Sequence, residues 1–254
     1  MSKKKSSAQK PTNPFLDDFV KQEIKFYGLT NYDKSGIVVR SIKLSGRCDD
    51  LLNVNFRVNK FKCPQFFIDG GLWMTMTHME IQSQYLPIKK AKGKVGIGGL
   101  GMGYCLLRMM EKDNVTSVDV YEIDQRVVDF FTENFSDRKG FEKVTFIVGD
   151  AREKLQKKIY DFVYIDIYAD MLPDEVLTDK ELFCNNNQIK TYHFWAQEKV
   201  FKCAYELGII QLYQCPPEIL ELLSLWMVSD GAKLRDKCLG EDFITDALAT
   251  FELL

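Results

Sequence analysis

Residues Lys94 to Asp124, KVGIGGLGMGYCLLRMMEKDNVTSVDVYEID, constrain the fold more than any other stretch of this sequence. A short apolar run enters a turn with glycine at positions 99, 101 and 103, and a helical pattern follows. A second apolar run then ends on Glu122 and Asp124. Apolar strand, glycine turn, helix, and an acid about 20 residues further on make up the first unit of a doubly wound α/β sheet that binds a nucleotide. In such a unit Gly99, Gly101 and Gly103 let the backbone approach the ligand, and an acid at the second strand's end accepts hydrogen bonds from ribose hydroxyls. The stretch therefore predicts an adenosine-containing ligand, whose far end is a carboxylate or a pyrophosphate at the opening of the helix.

Downstream, the βαβ alternation continues. Strands are predicted at Val95–Gly98, Ser117–Ile123, Val144–Val148 and Tyr160–Ile167, the last a nearly continuous apolar run suited to a strand covered on both faces. Helical spacing covers Gly103 to about Lys112, Gln125 to about Phe135, and Pro173 to Phe183. Thr191 to Tyr205 reads either as a helix or as a fifth strand closing on His193, Phe194 and Trp195. Ile209–Tyr213 reads as a strand and Pro217–Met227 as a helix. Phe243, Ile244, Ala247, Leu248 and Phe251 have the spacing of a packing helix or an oligomer contact.

Upstream, Phe15 to about Tyr27 has amphipathic helical spacing. Strand-like pieces start at Gly36, Asn53 and Gln65, with Asp69-Gly70-Gly71 as a hairpin turn. Met79 to Leu86 is a short helix stopped by Pro87. The expected organisation is a disordered tail over 1–14, an N-terminal helix with a small β-hairpin unit over 15–90, and an adenosyl-cofactor domain over 91–254. The fold class is α/β: a doubly wound, Rossmann-like, mostly parallel sheet preceded by a small antiparallel β unit.

Five carboxylates fall at carboxyl ends of predicted strands, where open α/β sheets hold their ligands. Glu122 is the candidate ribose ligand, and Asp124 reads better as the cap of the next helix. Asp150, in Gly149-Asp150-Ala151, is placed to accept from an exocyclic adenine amine or to cap the run after it. Asp166 and Asp170, in YIDIYADMLP, are the candidates to orient or deprotonate an amine or hydroxyl substrate. His78, Glu80, Tyr192, His193 and Trp195 are weaker candidates, and a lone histidine among apolar residues is more often a packed one. Trp73, Met74, Met76 and Met79 read as packing residues or as the roof of a pocket.

Composition excludes several classes. Hydrophobic residues make up 46% of the 254 and the net charge is -2, so no global basic field points to nucleic acid. No apolar run reaches the roughly 20 residues of a membrane span. Seven scattered cysteines without a CxxC pair, and only two histidines, predict reduced thiols, a cytoplasmic protein and no metal site.

From about Gln65 to Phe183 the chain resembles the spermidine synthase-like branch of class I S-adenosylmethionine-dependent methyltransferases. FFIDGG resembles the segment entering the catalytic domain of aminopropyltransferases, and GGLGMG their glycine loop. YEID and VGDA resemble the ribose and adenine motifs, which gives those roles to Glu122 and Asp150. IDIYADMLPDEVLT resembles the loop after strand four. Two departures stand out. Aminopropyltransferases carry an acid in the glycine loop that faces the aminopropyl amine, where this chain has Met102. Their strand-four aspartates are three residues apart, whereas Asp166 and Asp170 are four apart with Ile167-Tyr168-Ala169 between them.

The resemblance implies S-adenosylmethionine, or its decarboxylated form, as cofactor, and a small-molecule substrate as partner. Methyl transfer to an unknown acceptor is the leading expectation. Aminopropyl transfer to a polyamine and a catalytically silent cofactor-binding scaffold are the alternatives, and a homo-oligomer fits any of them.

Overall fold

The computed structural model describes residues 14–49 and 55–206. The expectations for the N-terminal tail, Ile209–Tyr213, Pro217–Met227, the C-terminal apolar spacing, Cys215 and Cys238 lie outside the described residues.

A helix, α1 (Pro14–Tyr27), precedes a four-stranded antiparallel meander of β1 (Asn31–Lys34), β2 (Ile37–Asp49), β3 (Asn55–Ile68) and β4 (Gly71–Thr75). Two of its connections are two-residue turns, between Lys34 and Ile37 and between Ile68 and Gly71. Both central residues of each turn have positive φ: Ser35 and Gly36 at 54° and 82°, Asp69 and Gly70 at 49° and 79°. That left-handed pair matches the twist of the flanking strands, which is why Asp-Gly marks a tight hairpin. Residues 55–61 and 65–68, parts of two separate pieces in the sequence pattern, belong to the single strand β3, and β1 has no apolar signature at all.

Next come α2 (His78–Ser83) and α3 (Tyr85–Lys90). Thr77 caps α2 by accepting the Glu80 N–H. Pro87 does not stop a helix: it sits in the first turn of α3, where a missing N–H costs nothing.

The main sheet is five-stranded and all parallel, in the order β11-β9-β5-β6-β7. Its strands are β5 (Gly93–Gly98), β6 (Val115–Glu122), β7 (Val144–Val148), β9 (Phe162–Ile165) and β11 (Tyr192–Phe194). Between them run α4 (Tyr104–Met110), α5 (Gln125–Phe135), the single turn α6 (Ala151–Lys154) and α7 (Glu175–Asn186), with α8 (Glu198–Glu206) last. A small parallel pair, β8 (Ile159–Tyr160) and β10 (Gln188–Ile189), flanks β9. Thr191 to Tyr205 is thus both things its pattern allowed, a strand and then a helix. Val95, Ile97, Val118, Val120, Val163 and Ile165 are fully enclosed, as expected for strands with helices on both faces.

The strand order reverses direction about β5, so chain connections leave to opposite sides of the carboxyl ends of β5 and β9 and open a crevice there. The antiparallel unit is fastened beside this crevice. Glu23 of α1 accepts from Arg108 Nε and Nη2 at 2.7 and 2.8 Å and from the Tyr104 hydroxyl at 2.7 Å, and the Tyr27 hydroxyl donates to the Met102 carbonyl at 2.9 Å.

Candidate active site

A cavity of about 720 Å³ occupies the crevice. The glycine turn forms its floor. A Cβ on Gly99 would overlap the carbonyl oxygen of Asp166, and one on Gly103 would overlap the Phe131 ring; both glycines have φ above 80°. These two glycines are therefore demanded by the chain's own packing as well as by any ligand. Gly101 faces the cavity beneath Met74, whose Sδ also accepts the Met102 N–H at 3.3 Å.

Glu122 stands at the end of β6, on the cavity wall and 8% exposed. It accepts the Leu100 N–H on one oxygen and the Asp124 N–H on the other, each at 2.9 Å. Desolvation raises its pKa while those N–H donors lower it. A carboxylate has about four acceptor positions, so ribose hydroxyls still find sites on it. Asp124 caps α5, accepting the Arg126 N–H at 2.9 Å, and Asp150 caps α6, accepting the Arg152 N–H at 2.8 Å. Both also line the cavity. Ile123, between the ribose acid and its cap, is 71% exposed and offers an apolar face to the same space.

On the far side of the glycine turn, Asp166 follows β9 and lines the cavity. The Tyr164 hydroxyl donates to it at 3.2 Å. Glu80, from α2, lines the same space, is 8% exposed and accepts from Gln84 Nε2. Burial pushes both carboxyls well above the usual carboxylate range, and the Asp166 charge raises Glu80 further. The same two acids and burial push up the Cys105 thiol on the cavity wall.

The cavity thus gathers Gly99, Gly101, Gly103, Glu122, Asp150 and Asp166. Asp170 is exposed and lies outside it. Asp174 caps α7 without a side-chain bond. The histidines are core residues: His78 stacks edge-on against Phe61, and fully buried His193 meets Glu198 at 2.8 Å. Trp73, Met74 and Met79 roof the cavity, whereas Met76 is wholly buried. Gln84 is the wall residue that sequence reasoning passes over; its only signal is a polar side chain four residues after Glu80, in a segment too short to show a period. Among the described residues, no group of three or more His, Cys, Asp and Glu is arranged to hold a metal ion.

Residues 75–203, half of the chain, match the family described as spermine/spermidine synthase domain. The chain belongs to this spermine/spermidine synthase family. The matched span runs from the last residue of β4 into α8, so it contains every cavity acid named above. Similar solved structures include a spermidine synthase in complex with the transition state analogue AdoDATO, at 16% identity and a TM-score of 0.38, covering 57% of this chain and 52% of that one. Spermidine synthase from Thermotoga maritima is 16% identical with a TM-score of 0.37, over 60% of this chain and 55% of that one. A putative methyltransferase from Thermoplasma acidophilum is also 16% identical, with a TM-score of 0.33 and 41% and 43% coverage. The chain spans about half the length of these spermidine synthases. No curated protein matches it. Among the described residues, no helix is long and apolar enough to cross a membrane.

Proposed function

We propose that this spermine/spermidine synthase family member transfers a methyl group from S-adenosylmethionine to a nucleophile held near Asp166. The observation that carries the donor choice is at the glycine turn. The Met102 N–H is bonded only to the Met74 thioether, a weak acceptor. A donor carboxylate would displace that contact with a charge-assisted bond. The decarboxylated donor ends instead in an ammonium, and Leu100, Met102 and Met74 offer it no anion there.

The rest of the wall fits an adenosyl group. Glu122 is placed for the ribose, Asp150 for the adenine amine and Ile123 for the adenine face. A bound sulfonium donor supplies an electrophilic methyl carbon. Asp166, held toward its protonated form by burial, takes the nucleophile's proton, because a carboxyl with a pKa nearer neutrality is the better general base at neutral pH. Small-molecule acceptors suit a cavity of about 720 Å³.

A second reading, aminopropyl transfer, draws support from the buried Glu80 and the half-buried Asp166, two acids that suit a cationic amine. Calorimetric titration of the purified chain separates the readings. S-adenosylmethionine and S-adenosylhomocysteine should bind, with decarboxylated S-adenosylmethionine weaker by roughly tenfold, the worth of one charge-assisted bond. Binding of the decarboxylated form alone would reverse the choice, and binding of NAD alone would remove both readings. Glu122→Ala should weaken every adenosyl ligand by roughly tenfold or more, since it deletes a bidentate carboxylate contact. Unchanged affinity takes Glu122 out of the site.

A further inference from the structure

The acceptor half of the cavity holds two carboxyl groups, the buried Glu80 and the half-buried Asp166, and among the described residues no free cation to match them. Among the described residues, Arg152 is the one Lys or Arg on the cavity wall, and it is engaged by Asp179 through two bonds of 2.8 Å. Neither Glu80 nor Asp166 forms a salt bridge among the described residues. A separate observation lies beside them. Gln84 is 3% exposed and lines the cavity, its Nε2 is spent on Glu80, and its Oε1 is buried without a hydrogen-bond partner. A buried acceptor left without a partner is destabilising, so the site is built for a donor. Two carboxyls and an amide oxygen are three acceptors, and an ammonium presents three N–H donors.

The remaining wall decides what the amine is attached to. Trp73 and Leu72 of β4 are each 55% exposed although both line the cavity, and the half-buried Trp195 ring is fixed by its Nε1–H on Ser83 Oγ at 2.8 Å. Met79 and Ile167 add apolar surface. The other carboxylates of the cavity are committed elsewhere: in the reading above Glu122 and Asp150 face the donor's ribose and adenine, and Asp124 is held by Arg126. A second ammonium on the same molecule would therefore face aromatic and aliphatic surface. Burial also holds Glu80 and Asp166 toward protonation, so together they balance one positive charge better than two.

We propose that Glu80, Gln84 and Asp166 form the binding site for the single amine of an acceptor whose body is aromatic or apolar, and that Trp73 packs against that body. The proposal deepens the reading above by naming the acceptor class; it rests on that reading only for where the donor lies.

The full-length chain, saturated with S-adenosylhomocysteine, is titrated with 2-phenylethylamine, 2-phenylethanol and 1,4-diaminobutane. The arylamine should bind roughly tenfold tighter than either of the others, the worth of one charge-assisted contact. Glu80→Gln should weaken it by roughly tenfold and Trp73→Ala by roughly threefold to tenfold, as for loss of a charge partner and of a ring contact. Far-ultraviolet dichroism reports that both variants fold. Diaminobutane binding as tightly as the arylamine overturns the single-amine assignment. Phenylethanol binding equally overturns the ammonium site, as does an unchanged Glu80→Gln. If S-adenosylhomocysteine itself does not bind, the methyl-transfer reading fails, and the wild-type titrations repeated without it still decide the amine site. Should Glu80→Gln misfold, the ratio among the three wild-type titrations decides alone.

Discussion

Glu80 and Asp166 keep protons that the unfolded chain would release, because burial disfavours their charged forms. An unfolded carboxylic acid titrates near pH 4. The stability these groups contribute is therefore full below about pH 4 and is lost as pH rises through their higher folded-state values toward neutrality. The thermal unfolding midpoint should fall between about pH 5 and pH 8, and Glu80→Gln, which cannot ionise, should flatten that fall. A variant with the wild-type slope would show that Glu80 is not the group responsible. Gly103 makes a second residue-scale case: its φ of 81° and the Phe131 ring beside it leave no room for a methyl group. Gly103→Ala should lower unfolding free energy by about 2 kcal/mol or more, from strain and overpacking together, read by denaturant melts. At this scale Glu122 was legible in the sequence because an acid ending the second strand has a fixed address in such folds. Glu80 was only a weaker candidate and Gln84 was not one, because their address is set by where α2 packs, which no local period encodes.

Among the elements, β4 has the most consequential attachment. One guanidinium, that of Arg126, donates to Asp69 at 2.7 and 3.0 Å, to Asp124 through Nε and Nη2, and to the Ser35 carbonyl at 3.3 Å. It ties both hairpin turns of the antiparallel unit to the helix that follows the ribose acid. Since β4 carries Trp73 and Met74 over the cavity, releasing the tip should loosen that roof. Arg126→Gln should increase acrylamide quenching of Trp73 and weaken adenosyl-ligand binding by roughly threefold to tenfold, a network being worth more than one exposed ion pair. Unchanged quenching would mean that strand pairing alone holds β4. The Asp69-Gly70-Gly71 turn was readable in advance because its backbone needs left-handed residues. β11 and α8 were harder to separate: Tyr192–Phe194 lies enclosed beside β9, and a short buried strand has the same apolar density as a buried helix turn.

For the molecule as a whole, the antiparallel unit and the parallel sheet are joined through Glu23–Arg108, Tyr27–Met102 and Arg126–Asp69. The first two contacts are largely sheltered from solvent, and their loss exposes the back of the glycine turn. The two parts should therefore unfold in one transition. Tryptophan fluorescence, to which Trp73 and Trp195 of the cavity wall contribute, and far-ultraviolet dichroism, which reports mainly the helices, should give the same denaturation midpoint. Separated midpoints would mark two independently stable units. The doubly wound class was legible from the sequence because alternation of strand and helix is a chain-wide pattern. The closeness of Asp166 to Glu80 was not, since they lie 86 positions apart in the sequence and meet only because β9 pairs beside β5.

The Met74 thioether lies 3.0 Å from where a Cβ would stand on Gly101, whose φ is 52°. Aspartate and asparagine tolerate that left-handed backbone better than other residues, so the backbone alone does not bar an acid from position 101. The methionine opposite it would have to give way. Residues 74 and 101 should then vary together among relatives, with an acid in the loop arriving only beside a smaller or polar residue on the hairpin. Ancestry would have to cross between the two pairings through an intermediate crowded at the donor's end.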